Sequence, residues 1–231
     1  MLLNHRQVPG VLVAVLLALA AARPLSAAEP LIAKFDEAKR PEKWTVNFGH
    51  WEPKAGVLVC RQLDKDHHPA ASRWQIPLKD AVINLRLKFD GATGFHLGFD
   101  PAPGELKKQG HLYSLVVTPT QAQLKKHRDK ADESSKDEPL AEAEFPTTVG
   151  EWIDIELKTE GANVTAVIGI APDATSKLTT KLEVSDPSFA VAKPTVVFRV
   201  IGGDVQLDDV QVTVLKAAEI RPVEKKAATK K

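Results

Sequence analysis

A single cysteine in 231 residues excludes an intrachain disulfide in any redox compartment. Long apolar runs are also missing. Val11 to Ala22 is unbroken, but twelve residues fall short of the roughly 20 that a hydrocarbon core requires, so no membrane insertion is expected. No cysteine stands directly after that run, so a bacterial lipid anchor is not expected. Charge of one sign is lacking too: a formal net charge of +1 offers no long-range attraction to nucleic acid or an anionic membrane. Amphipathic helical spacing is nearly absent. No Gly-x-Ser-x-Gly, His-Glu-x-x-His, phosphate loop or dinucleotide fingerprint occurs, and no cofactor is expected.

The N-terminus reads as a signal peptide over residues 1–28. Arg6 precedes the apolar run, and Ser26-Ala27-Ala28 supply the small residues that signal peptidase needs. Removal would leave about 203 residues, a plausible size for one sandwich domain. The expected product is exported, periplasmic or extracellular, and monomeric.

What fills those residues is alternation with period two. Trp44, Val46 and Phe48 alternate with polar residues, as do Ile83, Leu85, Leu87 and Phe89. Phe95, Leu97 and Phe99 follow Asp90-Gly91-Ala92-Thr93-Gly94, whose glycines suit a hairpin turn. Further alternating runs surround Tyr113, Ile153, Val164 and Val196, and the last spans Val205 to Leu215. Ten or more short strands predict an all-β, two-sheet antiparallel sandwich over 29–216. In the last strand Val205 and Leu207 are odd, whereas Val210, Val212 and Val214 are even. A β-bulge at Asp208-Asp209 absorbs that slip. Cys60 follows Val57-Leu58-Val59 and reads as a small buried hydrophobe. The mixed-charge insertion 125–144 reads as a solvated loop or short exposed helix, and 217–231 as a basic flexible tail.

The stretch VGEWIDIELK (149–158) gathers Glu151, Asp154 and Glu156. One family of β-sandwich glycosidases carries three carboxylates at alternate positions of a single strand. Here Trp152 stands two residues before Asp154, so the first carboxylate is out of step. Asp154 and Glu156 remain on one face, with Cα atoms roughly 6.5 to 7 Å apart. Carboxylates roughly 5 to 9 Å apart can act as acid and nucleophile on a glycosidic bond. Alternatively they are outward charges paired across strands with Lys or Arg. Trp152 shares their face and could stack on a sugar ring. Arg86, Lys88 and His96 are expected to point outward from neighbouring strands, completing a carbohydrate-binding surface. Asp64, Asp66, His67 and His68 read as a solvated loop, and no metal site is expected.

The landmarks resemble the concanavalin A-like jelly-roll superfamily. They are Phe35-Asp36, Trp44, Trp51, Gly56-Val57-Leu58, Gly150-Glu151-Trp152 and Asp208-Asp209-Val210, spread over Leu31 to Leu215. Within it the chain is similar to secreted bacterial laminin-G-like and 3-keto-disaccharide hydrolase-like domains. The resemblance implies a jelly-roll sandwich that meets a glycan or small saccharide. Hydrolase-like members carry an Asn-Ser-Gly-like strand where this chain has Thr93-Gly94-Phe95-His96. Three functions follow: a non-catalytic glycan-binding module, a glycoside hydrolase using Asp154 and Glu156, and a structural envelope domain that meets other proteins.

Overall fold

The computed structural model describes residues 29–170 and 178–220. The expected signal peptide and most of the basic tail lie outside the described residues. Within them, the alternating segments form β1 (Leu31–Ala33), β2 (Trp44–Phe48), β3 (His50–Lys54), β4 (Val57–Arg61) and β5 (Ala70–Trp74). Next come β6 (Leu78–Phe99), β7 (Tyr113–Val117), β8 (Gln121–Lys126), β9 (Glu138–Glu144) and β10 (Trp152–Glu160). The chain continues through β11 (Asn163–Ile170), β12 (Thr179–Ser185) and β13 (Val196–Ala217). Their antiparallel hydrogen bonding is continuous through all 13 strands.

Two 22-residue strands, β6 and β13, set the architecture by pairing along nearly their whole length and bending together. The first half of β6 and the second half of β13 form one sheet with β10, β11 and β12 on one side and β4 and β3 on the other. The remaining halves form the second sheet with β7, β8 and β9 on one side and β5 and β2 on the other. We call them the β10 sheet and the β7 sheet. Packed face to face, they make a two-sheet antiparallel sandwich.

Asp90 to Gly94 is therefore a corner and not the expected hairpin. Both halves of β6 find partners on β13, so the chain bends without reversing. At the corner the backbones nearly touch. A Cβ on Gly203 would lie 2.6 Å from the Gly91 carbonyl carbon, and Gly91 itself holds φ +90°, which glycine adopts at little cost. The charged insertion is corrected as well, because it forms the end of β8, a turn and β9. Leu140, Ala141 and Ala143 pack against the core while the glutamates stay outside. Such charge on an edge strand discourages pairing with other chains.

The core lies between the sheets and is aromatic at one end. Trp44 stacks on Phe198 with ring centroids 4.6 Å apart and tilts against Trp74 at 5.6 Å. Each such pair adds about 0.5–1.5 kcal/mol beyond area burial. Trp51 is buried and donates from Nε1 to the Phe48 carbonyl, so two of the sequence landmarks are packing residues. Cys60 is buried. Lys193 is also buried, but its ammonium donates to the carbonyls of Lys79, Phe189 and Val191 at 2.8–3.1 Å. Burial lowers its pKa to about 8.

Candidate functional site

The two sheets turn different faces outward. On the β10 sheet, strand parity holds as the sequence predicts. Ile153, Ile155 and Leu157 are buried, while Trp152, Asp154 and Glu156 face outward. In register, Trp152 lies opposite Lys88, and Asp154 opposite Arg86. The Arg86 guanidinium lies 3.4 Å from Asp154 and 5.0 Å from the Trp152 ring centroid, and Lys88 Nζ lies 4.6 Å from that centroid. The Asp154 side chain is 46% exposed, and Glu156 is exposed.

Beside them the β-bulge sits where the phase slip requires it. Asp208 pairs with Arg86 and Gln211 with Asn84, leaving one extra residue on β13. Asp209 takes it up with φ 48°, and Val210 and Val212 stay in the core. Burial raises the Asp208 pKa.

His96 does not belong to this face. It lies beyond the corner, in the β7-sheet half of β6, and is 6% exposed. The reason is that the outer face of the β7 sheet is itself covered. Ala71, Gly98 and Val197 occupy outward positions there and are buried, beneath the segments 100–111 and 127–137. Lys108 Nζ donates to the His127 carbonyl, and Lys130 N to the Gln109 carbonyl at 3.0 Å, stitching the two segments together.

A polar cluster lies under and beside that cover. Asp100 accepts from Arg73 Nε at 3.0 Å and pairs with His111 Nδ1 at 2.5 Å. Burial works to raise the Asp100 pKa, but His111 and Arg73 together hold it below the usual carboxylate value. His127 Nε2 meets Ser114 Oγ at 2.8 Å, and Lys125 pairs with Asp137 at 3.0 Å. Burial, then the nearby Arg199 charge, pushes His96 down to about 3. Burial likewise takes His127 down to about 4 although Asp137 opposes it. Both imidazoles are therefore neutral at neutral pH. His96 Nδ1 and Arg199 Nε are buried without a hydrogen-bond partner among the described residues.

The cluster opens into a groove of about 370 Å³. Phe48, 40% exposed, stacks on His68 at 4.3 Å and forms one wall. Arg73, Arg199, His111 and Lys130 contribute the polar lining. No motif or local spacing in the sequence singles out His111, His127, Arg73, Asp100 or Arg199, because these residues meet only across strands and loops. One signal was available. Ala71, Gly98 and Val197 are small or apolar at outward parity, which marks a covered face. A face wall of aromatic rings beside convergent polar groups is the usual composition of a ligand site.

No family model and no curated protein matches the sequence. Solved structures do match in fold. The carbohydrate binding module CBM66 from Bacillus subtilis superposes with a TM-score of 0.54 at 14% identity, covering 74% of this chain and 95% of that one. Lectin UEA-II complexed with galactose gives 0.55 at 11% identity, covering 81% and 99%. The family 7 alginate lyase A1-II′ gives 0.50 at 11% identity, covering 78% and 95%. The fold is thus a concanavalin A-like jelly-roll β-sandwich, the fold that the resemblance implied.

Proposed function

We propose that this protein is an exported, non-catalytic carbohydrate-binding module whose saccharide occupies the groove of the β7 sheet. One observation carries the assignment: a partly exposed aromatic wall at Phe48 and His68 lines the same groove as Arg199, whose Nε is buried without a partner. Sugars present apolar ring faces to aromatics and hydroxyls to such donors. The fold shared with a carbohydrate binding module and a lectin supports the same reading. Asp154 and Glu156 would then be surface charges, and Trp152, Arg86 and Lys88 a cation-covered patch.

A glycan array probed with protein lacking residues 1–28 tests the proposal. Binding is expected, with Phe48→Ala abolishing it and Trp152→Ala sparing it. The opposite pattern would move the ligand to the β10 sheet. Sugar turnover that disappears with Asp154→Asn or Glu156→Gln would make the protein a hydrolase. Export is checked by cell fractionation and an N-terminus beginning at Glu29.

A further inference from the structure

We infer that the β7-sheet groove selects a saccharide bearing an anionic group, a carboxylate or a sulfate, which Arg199 and Lys130 bind. This rests on the groove being the glycan site and adds the ligand's charge. Three cations line the groove, Arg73, Arg199 and Lys130, against the single carboxylate of Asp100. That carboxylate is already committed, one oxygen to His111 and the other to Arg73. Arg73 is committed as well, since its Nη1 donates to Asn47 Oδ1 at 2.6 Å.

Arg199 differs. Among the described residues it makes no ion pair, and its Nε lacks a hydrogen-bond acceptor. A guanidinium nitrogen held away from water without an acceptor is costly, and the rest of the fork lines the groove, where an incoming anion can pair with its charge. Its cross-strand neighbours do not fill that role. On one side it pairs with Ala71, whose methyl leaves room above the sheet, and on the other with His96. His96 is neutral and contributes no negative charge. Nearby acids are engaged elsewhere: Asp129 accepts from the backbone of Gln109 and Ala131, and Asp137 pairs with Lys125.

Lys130 reaches the rim past Gly110. A Cβ on Gly110 would approach the Lys130 stem to 3.0–3.3 Å, so the missing side chain leaves that stem its path. A half-buried fork and a rim ammonium together suit an acid group projecting from a sugar ring lying on Phe48.

Isothermal titration of the protein with four probes tests this inference. The probes are an oligogalacturonate, its methyl ester, a neutral galacto-oligosaccharide and that oligosaccharide sulfated. An anionic probe should bind at least about tenfold tighter than its uncharged counterpart, and this advantage should shrink as salt rises. Arg199→Gln and Lys130→Gln should each remove most of the advantage. The rim variant keeps the test valid should Arg199→Gln fail to fold. Which anionic probe binds tighter distinguishes uronate from sulfate. Equal affinity for charged and uncharged probes, still lost in Phe48→Ala, would overturn the charge inference and leave the groove as the glycan site. Binding that survives Phe48→Ala, Arg199→Gln and Lys130→Gln alike, or no binding of any probe, would overturn both.

Discussion

The outer faces of the two sheets carry similar side chains and put them to different uses. On the β10 sheet, charges answer one another. In the groove beside Trp152, Lys54, Arg61 and Lys88 meet Glu52, Asp90 and Asp204, three of each sign. In the neighbouring groove Arg86 stands against Asp154, Glu156 and Asp209. Most of these groups are at least partly open to water, where an exposed pair contributes about 0–1 kcal/mol. On the β7 sheet the same residue types lie beneath two loops, and there two buried polar atoms have no partner. Position relative to solvent, more than residue identity, separates a solvated charged surface from a site with unused donors.

Acid should separate the faces most. The unfolded chain takes up histidine protons near pH 6.5, whereas folded His96 and His127 do so only near 3 and 4. Stability is therefore complete above about pH 6.5 and falls as pH drops through that window. The loss should be on the order of a few kcal/mol at pH 5. Thermal melts of wild type, His96→Gln and His127→Gln measure it, and the variants should show a flatter profile. If they keep the wild-type slope, the acid sensitivity arises elsewhere. Asp100 and Asp137 act at lower pH, because their carboxyls titrate below the ordinary value.

Two glycines sharpen the comparison next. On the covered face, a Cβ at Gly98 would collide with Ser114 Oγ and the Tyr113 carbonyl. Gly98→Ala should then cost roughly 1–3 kcal/mol, the range for overpacking a filled site. On the open face, a Cβ at Gly169 would meet Thr179 Oγ1 at 3.2 Å, a contact that a side-chain adjustment relieves. Gly169→Ala should stay within about 1 kcal/mol of wild type. Urea unfolding of the two variants checks the difference. Equal losses would mean that both outer faces are equally packed.

Asp154→Asn should have the smallest effect. Its pair with Arg86 spans 3.4 Å between partly exposed groups, so the loss should be below about 1 kcal/mol in the same assay. A larger loss would show the β10 face to be more tightly organised than its exposure suggests.

Much of the fold was legible because period-two alternation reports directly which residues a sheet must bury. Ile153, Ile155 and Leu157 announced the faces of β10, and the parity change after Leu207 announced the bulge. Gly91 and Gly94 were legible as a break in a strand but not as a corner. A hairpin and a corner need the same permissive backbone and differ only in the partner that follows. The edge strand β9 was hidden for a related reason: Ala and Glu alternate weakly, and pairing with β8 supplies what propensity does not. The site was the least legible part. Phe48, Arg73, Asp100, His111, Lys130 and Arg199 come from separate strands and loops, and no local spacing links them.

The sequence by itself determined that this chain alternates, how its strands face and where one of them slips, because those follow from neighbours in the chain. Only the tertiary structure decided that β6 and β13 bend together, that His96 passes from one sheet to the other, and that two loops close over Arg199. Those outcomes depend on contacts between residues distant in the chain, such as Arg199 and His96. Burial shifts the properties of these side chains, and burial exists only once the sheets have packed.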